Sequence, residues 1–379
     1  MVESITLQNF KSFGEQQTIP LEPITVLVGP NNSGKSNFMS VGRFLTNSLV
    51  VNVREAIRQE GDFFFHRPLF RNAPCTIGWT TSTGIYTATL SPQGAQPIQA
   101  EKLVRHDQKK SLFNDDDGDT EIFTRSKDGY VEPIQSISVR IADPGTFVVQ
   151  QSVLPSPVRE MLRRVWQPFE NSRTIKLALE ALREDAEVVP KPEIGLDGRG
   201  LAAVLGLWRG AMPEKADALQ GFLTRCLPEM ANVFVRPAPV PGHQRLWFKQ
   251  KDGLEFDSQH VSDGVLAFTA LAMHALSVEP GQLLFIEEPE QSIHPKRLRE
   301  LVDLLKDIVR ERNCQFVIAT HSTVLLNTFR DEPEAILLFR RSETGTRVRR
   351  LSDVPELLTA LQQTPPGDLL ETGAFSAAF

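Results

Sequence analysis

At 379 residues the chain is long enough for two ordinary domains or one elaborated one. With 41% hydrophobic and 23% charged residues it reads as a soluble globular protein, and a net charge of −6 excludes a strongly basic body while leaving room for a local basic patch. Three widely spaced cysteines, Cys75, Cys226 and Cys314, form no CxxC pair, which argues against a disulfide framework or a zinc site and fits a reducing cytosol. The first ten residues lack the basic-then-apolar layout of an export signal, and no apolar run approaches the roughly 20 residues that span a bilayer. A cytoplasmic location without membrane contact is therefore expected.

Ile5, Leu7 and Phe10 precede a turn at Ser12 to Glu15, and Thr18 to Leu21 returns, so the chain opens with a hairpin. Ile24 to Val28 is β-branched and aliphatic throughout, the pattern of a strand buried on both faces of a parallel sheet. It runs into Gly29-Pro30-Asn31-Asn32-Ser33-Gly34-Lys35-Ser36. Asn37 and Phe38 then open a helix reaching about Val51, with an apolar stripe of Phe38, Val41, Phe44, Leu45 and Leu49. Strand, loop and helix in that order make a phosphate-binding loop. Its glycines let successive N–H groups turn inward, and the helix adds its positive end beneath the phosphates. Lys35 is placed to reach the β- and γ-phosphates, and the Ser36 hydroxyl to ligate Mg²⁺.

Between 60 and 150 the character changes. Thr76–Thr83, Ile85–Leu90, Glu121–Arg125 and Ser136–Ile141 read as strands separated by turn signals, which predicts an antiparallel subdomain inserted after the first helix. The acidic tract Asn114–Asp119 has no glycine where a calcium loop needs one and reads as a solvated hairpin tip. From Pro155 to about Met230 the period is helical, through Val158, Met161, Leu162 and Val165, then Ile175–Leu182, Gly200–Trp208 and Ala218–Leu227. Arg159, Arg163 and Arg164 read as a solvated helix face rather than a nucleic-acid contact. No heptad repeat runs through 37–260, so no long coiled coil is expected. Residues 232–257 return to strands around an Asp252-Gly253 turn.

Val261-Ser262-Asp263-Gly264-Val265 then caps a helix over Leu266–Leu276. Leu283–Ile286 is a buried strand with Glu287 and Glu288 at its carboxyl end, where open α/β sheets hold their ligands. Neighbouring residues on a strand point to opposite sides, so the two acids divide the work. Glu287 is assigned to hold Mg²⁺ through water, Glu288 to orient and deprotonate an attacking water. Pro295 opens a helix over Lys296–Glu311, and Gln315–Ala319 is a third buried strand ending in Thr320-His321-Ser322. His321, beside the other two strand ends, is the candidate sensor of a γ-phosphate. His66, His106, His243, His260 and His274 have no such setting and are read as structural.

The phosphate loop, Ser262-Asp263-Gly264, Glu287-Glu288-Pro289-Glu290, His294-Pro295 and Thr320-His321-Ser322 together resemble the ABC-type ATPase fold, and more narrowly the branch holding RecF, SMC and the OLD-family ATPases. Ile5–Phe13 and Asp197–Leu205 are also similar to these ATPases, whereas residues 60–195 match loosely. The resemblance implies an α/β head with a P-loop parallel core sheet, an antiparallel β subdomain and a helical lobe. It divides the chain into 1–150, 151–231 (the lobe) and 232–379. It also implies ATP and Mg²⁺ as cofactors, slow hydrolysis, and a homodimer closed around shared ATP. Ser262 and Gly264 would cap the γ-phosphate held by the partner's loop, with Asp263 between them in the same nucleotide-binding segment. His321 corresponds to the switch histidine and Gln291 to His294 to the loop communicating across the dimer. Gln151 is the candidate for the glutamine linking Mg²⁺ to the helical lobe, and Lys11 is placed to reach the nucleotide. Glu287 replaces a usual aspartate, Asp263 a glycine and Val265 a glutamine, and His294 stands where transporters carry aspartate. The Asp263 carboxylate is expected to repel phosphate and slow turnover.

The missing coiled coil argues against an SMC protein, and the 58 residues after His321 are too few for the nuclease domain that OLD proteins append. The expected function is a dimerising ATPase that controls a separate effector, a nuclease or toxin, in bacterial anti-phage defence or DNA maintenance. A RecF-like ATP-gated DNA clamp and an ATP-locked scaffold with incidental hydrolysis are the alternatives. Leu337–Arg341 and Arg347–Leu351 read as a last strand pair, and the apolar tail Leu369–Phe379 as a segment that docks onto another surface.

Overall fold

The computed structural model of the chain describes residues 1–61, 73–91, 97–105, 120–125, 130–133, 139–140 and 156–379. It opens with β1 (Val2–Gln8), β2 (Gln17–Pro20), β3 (Ile24–Val28), α1 (Lys35–Val50) and α2 (Val53–Gln59). There follow β4 (Cys75–Thr81), β5 (Gly84–Leu90), β6 (Ile98–Arg105), β7 (Thr120–Arg125), β8 (Tyr130–Pro133), β9 (Val139–Arg140) and α3 (Ser156–Glu170). Next are β10 (Arg173–Ile175), α4 (Leu179–Arg183), β11 (Ala186–Glu187), α5 (Leu201–Ala211), α6 (Pro213–Cys226), β12 (Met230–Pro237), β13 (His243–Gln250), β14 (Glu255–Asp257) and α7 (Asp263–Ser277). The chain finishes with β15 (Leu283–Glu287), α8 (Pro295–Arg312), β16 (Gln315–Ala319), α9 (Thr323–Asn327), β17 (Ile336–Ser342), β18 (Gly345–Arg350), α10 (Pro355–Leu361) and α11 (Pro366–Glu371).

Among the described residues the strands form three sheets. The central one runs β10-β15-β16-β3-β17-β18 and is parallel from β10 to β17, with β18 antiparallel at its edge. All five residues of β3 are buried, as its unbroken apolar run predicts for a strand covered on both faces. Side chains alternate across this sheet. Val26, Ile286 and Ile318 enter one core with α5, α6, α7 and α8, whereas Leu27, Phe285 and Val317 enter the other with α1 and α3. Gly42 sets how close α1 lies: a Cβ there would stand 2.2 Å from the Phe285 ring.

The antiparallel strands are not a separate insertion. β4 pairs with β1, so the opening hairpin and β4–β9 make one sheet in the order β2-β1-β4-β5-β6-β7-β8-β9. The first predicted helix of 155–230, α3, packs on this sheet. Trp166 meets Trp79 edge-on at 4.6 Å, Tyr86 stacks on Trp79 at 4.6 Å, and the Trp79 indole N–H donates to the Val165 carbonyl at 2.9 Å. The helix expected over Ile175–Leu182 gives way at its start to β10, because β-branched Thr174 and Ile175 complete the open edge of β15; only Leu179–Arg183 is helical. The four-stranded remainder, β11-β13-β12 with β14, matches the strands expected over 232–257.

The apolar tail docks on its own body. Phe375 and Ala378 are buried, while Arg340 and Arg349 donate to the Ser376 and Ala378 carbonyls at 3.0 and 2.6 Å. All three cysteines are buried and free. Among the described residues no helix is long and apolar enough to cross a membrane. The acidic tract 114–119, His66, His106 and Gln151 lie outside the described residues, as does all but 139–140 of the strand expected over 136–141.

Candidate functional site

β3, β15 and β16 are consecutive in the sheet and in register, Glu287 opposite Ala319 and Ala319 opposite Leu27, so their following loops converge at one end. After β3 the chain turns through Gly34 at φ +106°, where a Cβ would lie 2.0 Å from the Thr346 hydroxyl oxygen; only glycine fits. α1 begins there with no side-chain cap, which leaves its first N–H groups for an anion. The Ser33 hydroxyl is buried with no hydrogen-bond partner in the protein. Lys35 lies across the loop, its ammonium donating to the Gly29 and Pro30 carbonyls at 2.5 and 3.1 Å. Burial pushes its pKa down to about 8, against the pull of Glu288 and Glu290. An orphan hydroxyl, open N–H groups and a movable cation fit the phosphates of a nucleotide. Asn31, Asn32 and Ser36 stand exposed around that mouth.

The two acids do not alternate along one strand as expected, because β15 ends at Glu287 and Glu288 leaves it with a left-handed backbone. Glu287 ends β15 and pairs with Lys176 at 3.3 Å. Among the described residues there is no cluster of three or more His, Cys, Asp or Glu that would hold a metal by protein groups alone. One hydroxyl (Ser36) and one carboxylate (Glu287) instead suit Mg²⁺ completed by phosphate oxygens and water. Glu288 lies just past the strand in the left-handed region, φ +49°, a strained conformation costing of order 1–3 kcal/mol. Its N–H is held by the Ala319 carbonyl at 2.8 Å, and Gln291 donates to its carboxylate.

Glu290 was visible in the motif, yet its role was not. Its two oxygens accept from the Thr320 hydroxyl at 2.8 Å and the His321 backbone N–H at 2.6 Å, tying the end of β15 to the end of β16. The His321 ring stands on the exposed side of this link. Partial desolvation and then Lys35 hold its pKa below the ordinary value, opposed by Glu288 and Glu290.

On the other face of the sheet, Ser262 is the exposed N-cap of α7, without a cap hydrogen bond to its own helix. A Cβ on Gly264 would lie 2.8 Å from the Ser292 carbonyl, so this helix start abuts the loop that follows β15. Asp263 does not stand alone as a repulsive charge. Arg183, at the end of α4, donates to its carboxylate and to the Ser258 and Val261 carbonyls at 2.7 and 3.2 Å. Nothing local in the sequence announces this pairing, because 80 residues separate the partners. His294 serves as the N-cap of α8, its Nδ1 accepting from the Lys296 N–H at 3.2 Å. Lys11 gives its ammonium to Glu60 at 2.5 Å, and Arg43 binds the same carboxylate at 2.7 Å.

These features define a nucleotide-binding head. Residues 105–327, well over half of the chain, match the family described as "AAA domain, putative AbiEii toxin, Type IV TA system", and residues 1–130 match an AAA ATPase domain. The chain belongs to this AAA ATPase family and is an ABC-type ATPase of the RecF, SMC and OLD branch. It is 22% identical over 359 residues to the OLD nuclease of Thermus scotoductus, covering 90% of this chain and 62% of that protein. It is 26% identical over 174 residues to the human Structural maintenance of chromosomes protein 1B, covering 46% of this chain and 13% of that protein. The chain thus spans less than two thirds of the length of either relative. Two solved structures share its fold at 13% identity and a TM-score of 0.54. One is an Smc head bound to the C-terminal winged-helix domain of ScpA, with 92% of this chain and 97% of that one covered. The other is an Smc head with an extended coiled coil bound to the C-terminal domain of ScpA derived from Pyrococcus furiosus, with 96% and 99% covered.

Proposed function

We propose that this ATPase closes as a homodimer over two ATP molecules and thereby switches a separate effector protein. The observation that supports it most is the pairing of two uncapped helix starts: α1 beneath a loop carrying Lys35, and α7 carrying an exposed Ser262. A serine hydroxyl at an open helix start is a second anion site, and it has work to do once another copy presents a phosphate to it.

In this reading Lys35 and the N–H groups of Gly29 and of Asn31 to Asn37 bind the phosphates in a loop that Pro30 shapes, and the partner's Ser262–Gly264 segment covers the γ-phosphate. Ser36 and Glu287 would hold Mg²⁺, which when bound would neutralise charge on the phosphate oxygens. Glu288 takes the proton of the attacking water, and His321 hydrogen-bonds the transferring group. In this reading the chain divides into 1–150, 151–231 and 232–379, although α3 of the middle segment packs on the antiparallel sheet and β10 joins the central one. The OLD nuclease among its relatives and the toxin in its family's description support a nuclease or toxin as the effector, and we place the system in anti-phage defence or DNA maintenance.

Glu288→Gln tests this. Turnover should fall about 100-fold or more, as for a lost general base, with ATP binding retained and the mass doubling when ATP is added. Unchanged turnover, or a mass that ATP does not alter, refutes the reading. A second reading, an ATP-gated DNA clamp, draws on the exposed Arg159, Arg163 and Arg164 of α3. It requires ATP-dependent retention on duplex DNA that weakens steeply with salt.

A further inference from the structure

We propose that Glu290 is the positioning residue for His321, holding sensor and base as one unit across two neighbouring strand ends. This rests on the reading of His321 and Glu288 given above. Both oxygens of Glu290 are committed to the segment after β16, one to the Thr320 hydroxyl and one to the His321 N–H. The Thr320 hydroxyl also accepts the Ser322 N–H at 2.9 Å, and the Ser322 hydroxyl accepts the Leu325 N–H at 3.2 Å where α9 begins. Residues 320–322 are thus tied to one carboxylate, in addition to the Thr320 N–H bond to the Leu27 carbonyl at 3.2 Å.

The other end of the connection is short and stiff. Pro289 alone separates Glu290 from Glu288, whose left-handed backbone is pinned to Ala319, the residue before Thr320. Gln291, next in sequence, donates to the Glu288 carboxylate. A shift of either strand end therefore moves base and sensor together. A charged acceptor for a backbone N–H is stronger than a neutral one, and a carboxylate alone offers two full acceptors to two donors. Glutamine keeps the shape of Glu290 but drops its charge, and its amide can only donate to the Thr320 hydroxyl, reversing that hydrogen bond.

The experiment compares the full-length wild type with Glu290→Gln, Thr320→Val and Thr320→Ser. For Glu290→Gln and Thr320→Val, kcat should drop about 10- to 100-fold, the scale of a misplacement near 1 Å, with KM for ATP within about twofold. Thr320→Ser, which keeps the hydroxyl, should restore most of the rate. Alongside, the ring resonances of His321, followed by NMR without nucleotide, should shift in Glu290→Gln while those of His243 stay in place. An unmoved His321 resonance overturns the proposal whatever the rates show, and so does a loss carried wholly by KM. Should the wild type fail to hydrolyse ATP, the mechanism proper has failed, and the resonance shift alone then decides the positioning role. Thr320→Val provides the same readouts if Glu290→Gln does not fold.

Discussion

α1 and α7 lie on opposite faces of the central sheet, and both begin without a side-chain cap, yet they are built differently. The start of α1 is enclosed: Ser33, Gly34 and Lys35 are buried, and glycine is enforced by Thr346. The start of α7 is open: Ser262 and Asp263 are exposed, and one arginine from α4 ties the segment down. The body of α7 is the reverse, with every residue from Leu266 to Leu276 buried. A helix so deeply anchored yet so exposed at its tip suits a part that must stay rigid while it meets something arriving from outside. The start of α1, by contrast, encloses what it binds.

Lys35→Ala should break the enclosed end most severely, costing about 100-fold or more in ATP turnover, the scale of losing one electrostatic contact to the reacting group. Turnover assays with calorimetric ATP binding check this. Next in size is a packing test. Gly42→Ala drives a methyl into the Phe285 ring and should cost about 2 kcal/mol in urea unfolding, an overpacking penalty that Phe285→Leu relieves in part. At the open end Arg183→Ala should lower kcat about tenfold, or about 1.4 kcal/mol, by freeing the Asp263 charge. The double variant with Asp263→Asn should recover most of it, and failure of that rescue would place the role of Arg183 in folding.

The smallest effect tests the anchoring of α7. Burial, reinforced by the Arg173 charge, pushes the pKa of His274 from 6.5 down to about 3. The unfolded chain therefore takes a proton that the folded one refuses. Stability from this group is complete above pH 6.5 and falls as the pH drops towards 3, by about 1 kcal/mol between 6.5 and 5.5. Unfolding midpoints across that range should slope for the wild type and flatten for His274→Gln.

Much of this was legible because it is local. The strands Ile24–Val28 and Gln315–Ala319 form residue for residue where their apolar runs lie, and α1 and α8 follow their stripes. The same locality places Glu288 and His321 one and two residues beyond core strands, and Lys35 at the helix start after the loop that follows β3. β10 was hidden because its state depends on the free edge of β15, far away in sequence. Glu60 escaped for a similar reason. Its side chain, 1% exposed, is matched by Lys11 and Arg43 from two other segments. Burial opposes its charge, but the two cations overcome that and hold its pKa below the usual carboxylate value. Glu290 could be seen but not interpreted, because its partners become neighbours only when β15 and β16 are known to be adjacent.

The contact between Trp79 and Trp166 gives the molecule a built-in optical reporter. Two indoles 4.6 Å apart couple their excited states, and α3 carries one of them while the antiparallel sheet carries the other. With Trp208 and Trp247 in the other half replaced by phenylalanine, near-ultraviolet dichroism of the remaining pair would follow the docking of α3 alone, without any attached dye.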